Sequence, residues 1–487
     1  MKKHICFITP PSSFLLDERV FISLGVLKVA AVCEFHNHIT DVLDLSGVIN
    51  YEDVVSAYIE QNSVEYIGIT ATTPQIVYVT KIINRIREVN KNIKIILGGP
   101  HPTLIYASIK KGRTRSANEF KRLTDLCDVF ISGDGEKAIL LAIEHGRTGV
   151  IDADDYKTDL FLTNDDFENG LFPARHLINM VSYSYSIDGV NATSLIAQLG
   201  CPYRCGFCGG RESNMLRRIR LRQPDSVIRE VEHLYLTYGY TGFMFYDDEL
   251  NVNKNLIKLM NDLADFQVKH NVEFKLRGFL KSELFTEEQA VALYKAGFRW
   301  LLIGFESGSP RILSNIQKIA TKENNTRCME IAKKYNLKVK ALMSVGHPGE
   351  SRDTIKETKE WLLEVKPDDF DITVINTYPG TPYYDHAIKN EEGVWEYKAP
   401  KTNDILYQVD LDYTKDLSYY KGDPNGGYTS FVYTEYLSRE ELVIERDALE
   451  AEVRAKLDIP YYTARPGIEF EHSMGQSSQI PKNILYK

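Results

Sequence analysis

Three cysteines within eight residues constrain this chain more than any other feature. They are Cys201, Cys205 and Cys208, in the spacing C-x3-C-x2-C. This spacing can place three thiolates on one tight loop, and cysteine thiolates are the ligands that hold iron-sulfur clusters. A four-iron cluster with only three protein ligands leaves one iron able to bind another molecule, and that iron makes chemistry possible. Short cysteine spacings also serve zinc sites and disulfides, so a structural role is the alternative.

The segment before the cysteines places them beside a strand end. Residues 193–200 form an apolar run typical of a buried strand, and parallel sheets and barrels place active sites just beyond such strands. With Phe207 directly before the last cysteine, the motif resembles that of the radical S-adenosylmethionine (SAM) superfamily. This resemblance implies that the open iron chelates the amino and carboxylate groups of SAM. It also implies that SAM is cleaved reductively to a 5'-deoxyadenosyl radical.

The composition is that of an ordinary globular protein. The 487 residues suffice for about three domains, and 43% of them are hydrophobic and 26% charged. No apolar run approaches the ~20 residues of a membrane span, and the amino terminus passes directly into a strand-like segment instead of a signal peptide. We therefore expect a cytoplasmic protein, in which the other four cysteines are reduced residues of the core: Cys6, Cys33, Cys127 and Cys328.

The charge distribution excludes one class of function. A formal net charge of -9 argues against a general nucleic-acid binder, which needs a basic face. Two local basic runs remain. Residues 110–115, together with Lys121 and Arg122, are expected to form a solvated loop of the first domain. Residues 217–222, soon after the cysteines, either hold an anionic group of SAM or substrate through bidentate arginine contacts or pair with nearby Asp and Glu.

The first 150 residues have the pattern of an α/β fold. Strand-like and helix-like segments alternate with short connections, which predicts a Rossmann-like, doubly wound parallel sheet. Runs rich in Ile, Val and Leu predict strands at 5–10, 39–45, 66–73, 93–98 and 128–132, and helical periodicity predicts helices that include 20–33 and 77–89. The predicted strand ends carry small and polar residues, and such sheets bind ligands at the carboxyl ends of their strands.

Two of these turns, L-G-G-P-H at 97–101 and G-D-G-E at 133–136, resemble the cobalamin (B12)-binding domain that precedes the barrel in many radical SAM enzymes. The resemblance implies that strand ends contact cobalamin through Thr72, Thr73, Gly98, Gly99, Pro100, Gly133, Gly135 and Glu136. The alternative is a Rossmann-like domain whose glycines only form tight turns. One departure is that loop 11–16 lacks the D-x-H-x-x-G motif that supplies a lower axial imidazole. The isolated histidines are more typical of surface and helix-end residues than of metal ligands: His36, His38 and His101.

Residues 191–390, after a linker predicted at 151–190, alternate strands and helices again. Six strand candidates, the last at 373–377, are compatible with the partial (β/α)6 barrel of the radical SAM family. Their ends resemble the positions at which that family binds SAM, which implies contacts from Tyr246, Asp247, Asp248, Arg277, Glu306, Ser307, Gly346 and His347. Acidic residues at strand ends also cap the following helix, which is the alternative for Asp247 and Asp248.

The last part, residues 391–487, matches no family motif and is predicted to form a small C-terminal domain. It is rich in tyrosine, and a tyrosine-rich cap over the barrel mouth would suit a polar substrate, although ordinary packing explains the residues equally well: Tyr413, Tyr419, Tyr420, Tyr428, Tyr433 and Tyr436. The sequence S-R-E-E at 438–441 predicts a helix that begins there and extends to Leu457. The tail 467–487 is either a loop folding back on the site or a flexible end.

Together these features favour a cobalamin-dependent radical SAM enzyme that methylates an unactivated carbon of a small biosynthetic metabolite. It would use a 4Fe-4S cluster, SAM and cobalamin, with an external electron donor such as flavodoxin or ferredoxin and no nucleic-acid or membrane partner. The first alternative is a radical SAM dehydratase, epimerase or cyclase whose amino-terminal domain does not bind cobalamin. The second is a cobalamin-binding sensor or carrier in which the cysteines are structural. The sequence identifies neither a substrate nor a catalytic residue.

Overall fold

Six parallel strands form the first sheet of the protein in the computed structural model, which describes residues 2–12, 15, 18–416 and 429–460. The strand order is β2-β1-β3-β4-β5-β6, so the chain reverses its direction of winding between β1 and β3. The strands are β1 His4–Thr9, β2 Ile39–Asp44, β3 Tyr66–Thr70, β4 Lys94–Gly98, β5 Val129–Gly133 and β6 Gly149–Ala153. Ligands of doubly wound sheets bind at the carboxyl edge near such a reversal.

Helices cover both faces of this sheet. They are α1 Leu24–Phe35, α2 Tyr51–Gln61, α3 Ile76–Val89, α4 Pro100–Lys110, α5 Ala117–Leu126 and α6 Gly135–Ile143. Because strand side chains alternate between faces, Ile67 and Ile95 belong to one apolar core, while Ile5 and Ile131 belong to the core on the opposite face. The predicted Rossmann-like α/β class is therefore confirmed.

The predicted boundaries differ from the structure at three places. The third strand ends at Thr70 and not at 73, because Thr72 caps a short 3-10 turn with its side chain and Gln75. The unpredicted strand β6 extends the sheet to Ala153, inside the expected linker. The basic run 110–115 joins α4 to α5, and its Arg115 is packed rather than solvated. The expectation of a solvated loop is therefore wrong for Arg115, and Lys121 and Arg122 lie in helix α5 instead of a loop.

The second unit is a half-barrel of six parallel strands, with one short antiparallel strand at its edge. The order is β15-β14-β13-β12-β11-β8-β7, with β7 Ser186–Ile187, β8 Val190–Leu195, β11 Gly242–Phe245, β12 Lys275–Leu280, β13 Phe298–Glu306, β14 Lys338–Val345 and β15 Asp369–Val374. A two-residue ribbon, β9 Gln198–Leu199 with β10 Arg220–Leu221, flanks the cysteine loop. The predicted partial (β/α)6 barrel is confirmed.

Helices pack on the outer face of the half-barrel. Short α7 Asn164–Glu168 precedes it, and the others are α8 Asn214–Arg217, α9 Pro224–Tyr238, α10 Leu256–His270, α11 Glu287–Ala296, α12 Pro310–Ile316, α13 Lys322–Lys334, α14 Arg352–Val365 and α15 Pro382–Asp385. Strand residues such as Phe243 and Ile303 pack under these helices, whereas Met244, Leu302 and Leu342 face the interior. The alternation leaves the interior-facing ends of the strands available for polar groups.

The sixth barrel strand lies earlier than its predicted position of 373–377. It runs from Asp369 to Val374, and two half-buried aspartates, Asp369 and Asp371, interrupt its apolar sequence. The Lys340 ammonium lies 3.0 Å from Asp369 and 3.3 Å from Asp371. Arg454 adds an ion pair to Asp369 at 3.2 Å. These ion pairs offset the free-energy cost of removing the charges from water.

The C-terminal part of the chain is a small antiparallel sheet and one long helix. The elements are β16 Ile388–Lys389, β17 Trp395–Lys398, β18 Ile405–Gln408, β19 Val432–Thr434 and α16 Arg439–Leu457. Ser438 caps α16 by accepting a hydrogen bond from Glu441 N, which confirms the predicted helix start. Through Arg446 and Arg454, α16 covers the edge strand β15. Tyr419, Tyr420, Tyr428 and the tail 467–487 lie outside the described residues.

The first sheet and the half-barrel are joined through polar and aromatic contacts. Ser108 on α4 donates to Asp385 at 2.5 Å, and Asp134 after β5 pairs with Arg220 at 2.6 Å. The guanidinium of Arg115 lies 3.8 Å from the ring centre of Tyr384 and 4.2 Å from that of Trp395. The carboxyl edge of the first sheet therefore faces the mouth of the half-barrel.

No helix in the described part of the chain combines the length and the apolar character needed to cross a lipid bilayer.

Asp385 at this interface should make stability depend on pH. Burial raises the pKa of its carboxyl from 3.8 to about 6, so folding favours the protonated form. Stability from this group is present below pH 4 and is lost as pH rises through 6, by about 2–3 kcal/mol. Asp385→Asn should remove this loss, as measured by urea unfolding between pH 4 and 7.

Asp404 provides a control, because its contribution to stability should depend on pH in the opposite direction. Its hydrogen bonds with Arg311 lower the pKa of its carboxyl from 3.8 to about 2, so its contribution is lost as pH falls below 4. Asp404→Asn should therefore destabilise the protein at neutral pH. An Asp385→Asn variant with the wild-type slope between pH 4 and 7 would contradict the assignment.

Candidate active site

The cysteine loop begins after β8 and is held in place by two aspartates that follow β11. Asp247, only 1% exposed, accepts hydrogen bonds from the backbone N–H groups of Ala197 and Gln198. Asp248 accepts one from Gly200 N at 3.0 Å. Burial raises the pKa of Asp247 to about 8. Both predicted SAM-binding carboxylates thus hold the backbone that leads into the cysteines, and neither caps a helix.

The three cysteines lie on a loop that the rest of the barrel supports. Gly206 N donates to Ile316 O at 2.6 Å, and Tyr383 N donates to Gly206 O at 3.1 Å. Cys201 and Cys205 are half-buried, while Cys208 lies in a recess that solvent reaches. Burial raises the pKa of the Cys201 thiol to about 12 and that of Cys208 to about 11. A metal that binds here must therefore displace protons.

The arrangement of the thiols distinguishes the possible ligands. All seven cysteines are free, which removes the disulfide alternative. Within residues 2–12, 15, 18–416 and 429–460, no three His, Cys, Asp or Glu side chains converge to hold one metal ion. A four-iron cluster binds each thiolate through a different iron, so the three separate thiols fit it.

Charges of both signs surround the loop on the barrel side. The groups that act electrostatically on Cys205 are Lys318, Lys281, Glu306 and Glu249. Lys318, after α12, lies 3.0 Å from Glu306 at the end of β13. Burial raises the pKa of Glu249 to about 7. A ligand with an ammonium and a carboxylate, as SAM has, finds partners for both here, so the residues present fit it.

A chain of hydrogen bonds continues from Glu306 across the strand ends. Ser344 Oγ donates to Glu306 Oε2 at 3.0 Å and lies 2.8 Å from His347 Nε2, and His347 Nδ1 lies 3.3 Å from the hydroxyl of Tyr383. Burial lowers the pKa of His347 to about 4, so its imidazole is neutral at pH 7. Glu306 has a φ of +66°, an uncommon conformation for a residue with a side chain. The strand end is held in a strained conformation where a ligand would lie.

The other predicted SAM residues contact groups outside this chain of hydrogen bonds. Tyr246 stacks on Phe21, with ring centres 5.2 Å apart. Arg277 is buried in the barrel interior near Tyr185, and its side chain also lies 6.0 Å from the Trp300 ring. Two more residues have structural contacts: Ser307 Oγ bonds to Thr358 Oγ1 at 3.0 Å, and Gly346 N donates to Glu350 at 3.2 Å. The structure therefore brings Asp247, Asp248, Glu306 and His347 to the loop.

Four residues of the site were not predicted: Glu249, Lys318, Ser344 and Tyr383. Glu249 directly follows Asp248, so the acidic run itself was the signal for it. Ser344 lies three residues before His347 on the predicted fifth strand. Lys318 lies in the segment after α12 and Tyr383 in the short helix α15, and no motif marks either residue.

The predicted cobalamin residues form turns at the carboxyl edge of the first sheet. Gly99 and Gly133 have φ of +101° and +97°, and a Cβ on either would overlap neighbouring backbone, so the fold itself requires these glycines. Thr73 bonds to His101 at 2.9 Å, and Thr72 and Pro100 are exposed. Ser132, directly before Gly133, is fully buried with no hydrogen-bond partner for its hydroxyl in the described part of the chain.

These features fit a ligand at the sheet edge. The exposed Thr72 and Pro100 leave room for cobalamin above the edge, whereas the Ser132 hydroxyl is fully buried and out of reach of a ligand there. Gly98 and Gly135 belong to the same two turns. Burial raises the pKa of Glu136, at the start of α6.

The histidines of the first unit have protein partners. His36 and His38 both lie 3.1 Å from Glu144. His101 is fully buried, with Thr73 on one nitrogen and Glu119 at 3.8 Å from the other. His36 and His101 lie at helix ends, as expected, but His38 and His101 are buried, so the expectation of surface residues is wrong for these two.

The second basic run divides into two parts. Arg220 pairs with Asp134, and Arg222 pairs with Glu230 at 2.5 Å, as one alternative predicted. Arg217 and Arg218 have no ion pair with any described residue.

Comparison with known proteins finds a family match for each of the two units. Residues 195–362 match the Radical SAM superfamily, and residues 18–113 match the B12 binding domain. An uncharacterized methyltransferase of Pyrococcus horikoshii is 25% identical in an alignment of 406 positions. The alignment covers 79% of this chain and 83% of the relative. The anaerobic magnesium-protoporphyrin IX monomethyl ester cyclase of Rubrivivax gelatinosus is 25% identical over 68% of this chain, but the match spans only 60% of that enzyme.

One solved structure has a similar fold over nearly the full length of both chains. The radical SAM methyltransferase TsrM from Kitasatospora setae, solved with cobalamin and a 4Fe-4S cluster, aligns with a TM-score of 0.64 and 16% identity, covering 92% of this chain and 91% of TsrM. At this identity the likeness establishes the fold. The match with the Radical SAM superfamily disagrees with a sensor or carrier whose cysteines are only structural.

Proposed function

We propose that this chain, a radical SAM enzyme with a B12-binding domain, methylates an unactivated carbon of a small biosynthetic metabolite. Its cofactors are a 4Fe-4S cluster, SAM and cobalamin. When bound, the cluster supplies the electron that cleaves SAM, and cobalamin carries the methyl group. An oxygen-sensitive cluster is best kept in a reducing compartment, which favours the cytoplasm.

The observation that carries the proposal is the direct packing of the first sheet's carboxyl edge on the cysteine loop. Leu104 on α4 lies against Gly209, next to Cys208, and against Gly380 at the barrel mouth. Asp154, directly after β6, accepts hydrogen bonds from Ser213 Oγ at 2.6 Å and Met215 N at 2.7 Å. A substrate carbon between the two edges would be within reach of both cofactors, as methyl transfer to a carbon radical requires.

The chain's own residues bind and orient in this proposal. Cys201, Cys205 and Cys208 would hold the cluster. Lys318 and Glu306 offer opposite charges to the amino-acid part of SAM, while Asp247 and Asp248 keep the loop in place. The β3, β4 and β5 turns would hold cobalamin. The cap formed by β16–β19 covers the barrel mouth and helps to exclude water.

Ring closure is a second candidate. The match to the Rubrivivax cyclase, and to that of Cereibacter sphaeroides at 22% identity over 77% of this chain, favours it. A cyclase would generate the same adenosyl radical without transferring a methyl group. The two candidates therefore differ in their SAM products.

An assay with SAM carrying a trideuterated methyl group separates them. The protein is reconstituted anaerobically with iron, sulfide and hydroxocobalamin, reduced with titanium citrate, and incubated with metabolite extracts of its source cells. Methylation should give both 5'-deoxyadenosine and S-adenosylhomocysteine, with the deuterated methyl group on a metabolite. The cobalt content of the desalted protein is measured in parallel.

The outcomes are distinct. 5'-Deoxyadenosine without S-adenosylhomocysteine or labelled product would exclude methylation and favour ring closure or another radical outcome. Failure to retain cobalt would exclude the role of cobalamin. Absence of 5'-deoxyadenosine from protein with an intact cluster would contradict the radical chemistry itself.

A further inference from the structure

Four arginines surround the cysteine loop without an ion pair to any described residue. They are Arg204, Arg211, Arg217 and Arg218, and together we call them the loop patch. Arg204 and Arg218 are exposed, and Arg211 and Arg217 are half-buried. A chain with a net charge of -9 has many carboxylates to offer, and elsewhere Arg220 and Arg222 are paired with them. The loop patch is therefore a local excess of positive charge.

The loop patch is attached to the backbone that carries the cysteines. Arg217 donates to Pro202 O at 3.1 Å, and Arg211 donates to Arg204 O at 3.0 Å. Pro202 and Arg204 adjoin Cys201 and Cys205 in the sequence. These contacts place positive charge at the outer side of the loop, within a few residues of two cysteines.

The positive charges are close enough to repel one another. Burial lowers the pKa of Arg217, and the neighbouring charges of Arg204 and Arg211 add to this effect. Arg218 stacks on Tyr156, with its guanidinium 3.5 Å from the ring centre, which orients it without neutralising it. Glu212 offsets part of this repulsion at Arg217, but none of the four arginines forms an ion pair with a described carboxylate.

The adjacent surface extends the same charge. Lys111 and Arg113, at the end of α4, act electrostatically on Glu212 next to Arg211. Glu212 also lies 3.7 Å from His386. A single acidic residue is thus shared among several basic groups, and the surface stays positive.

We propose that the loop patch is the docking surface for a small acidic electron-transfer protein of the flavodoxin or ferredoxin type. One electron leaves the reduced donor, which is oxidised by one electron, and enters the cluster, which is reduced by one. Opposite charges on the two proteins would speed their encounter and bring the donor against the loop. The inference rests on the reductive chemistry of a radical SAM enzyme and not on methyl transfer.

Two other uses of the loop patch agree less well with the structure. A nucleic acid would need a basic face that extends along the molecule, whereas the whole chain is acidic. The amino-acid part of SAM has its charged partners on the barrel side of the loop, where Lys318 and Glu306 lie. Arg204 and Arg218 of the loop patch are instead exposed to solvent.

Stopped-flow reduction of the reconstituted holoenzyme tests the proposal. The charge-reversed variant Arg204→Glu/Arg218→Glu is compared with wild type, using reduced flavodoxin or dithionite as the reductant and following the bleaching of the cluster. With flavodoxin at low salt, we expect the variant to be reduced at least about 10-fold more slowly, and the wild-type rate to fall as salt is added. With dithionite, both proteins should be reduced at similar rates.

Arg147→Glu/Lys91→Glu is the matched control. Arg147 and Lys91 are exposed and lie before β6 and β4, at the amino edge of the first sheet, and replacing both reverses two positive charges, as the loop-patch variant does. If this control slows reduction by flavodoxin equally, overall charge explains the effect and the proposal is overturned. An unchanged flavodoxin rate in the loop-patch variant would also overturn it, as would an equal loss with dithionite, which would mean that the arginines only support the loop. Salt-dependent RNA binding that the variant loses, with flavodoxin reduction intact, would assign the surface to nucleic acid instead.

Because the assay follows cluster reduction, its outcome is independent of methylation. A protein that accepts electrons at the loop patch but transfers no methyl group would contradict only the proposed function.

Discussion

Cys205→Ala should give a folded protein that holds no intact cluster and forms no 5'-deoxyadenosine. The loop keeps its contacts without this thiol, since Gly206 bonds to Ile316 and Tyr383 through its backbone. Removal of one of three ligands leaves two, which cannot hold a four-iron cluster in place. Changes to groups that only support a metal ligand cost about 10- to 100-fold in affinity or activity, and the loss of a ligand should exceed that. Iron and sulfide content, the absorbance of the reconstituted protein and 5'-deoxyadenosine formation measure the effect.

Cys127→Ala is the control for this variant. Cys127 is partly buried after α5, and its thiol donates only to the carbonyl oxygen of Leu123 at 3.3 Å. It should keep the wild-type iron content and activity. Full iron content and wild-type 5'-deoxyadenosine formation in Cys205→Ala would show that the cysteine loop is not the cluster site, and the assignment of radical chemistry to this loop would fail.

Local patterns predicted the architecture well, because each element follows from residues close in sequence. The isoleucine-rich runs form the first sheet, and Ser438 starts α16 as its capping sequence requires. The pattern failed at β15, where Asp369 and Asp371 interrupt the apolar run. Their charges are neutralised by Lys340 and Arg454, which lie far away in sequence. Such pairing exists only in the folded chain.

The site was predictable to the extent that a motif marked it. The three cysteines needed only their spacing, and Glu306 was marked by its place at a strand end. The contacts of Asp247 with backbone N–H groups could not be predicted, because no side-chain pattern encodes them. Lys318 reaches Glu306 from a connecting segment after α12, and the structure alone brings the two together.

Gly200→Ala should disrupt the cysteine loop as strongly as loss of a ligand, although it removes no functional group. Gly200 has a φ of +85° and directly precedes Cys201. A Cβ at this position would overlap the carbonyl oxygen of Arg218, whose backbone leads into β10. Because that neighbour is backbone, it cannot move aside as a side chain would. The loop must shift, and the hydrogen bond from Gly200 N to Asp248 shifts with it.

The Gly239→Ala variant measures the cost of the left-handed backbone conformation alone, without steric overlap. Gly239 ends α9 with a φ of +73°, and its Cβ would meet nothing within 4 Å. This variant should lose only about 1 kcal/mol of stability, from the left-handed conformation, and keep its cluster. Gly200→Ala should lose a further 1–3 kcal/mol or so from overpacking and most of its iron, as measured by urea unfolding and iron content. Equal stability and equal iron in the two variants would mean that the loop adapts freely. In that case the carboxylates of β11 would not fix the position of Cys201, since a loop that moves at no cost cannot hold a metal ligand in place.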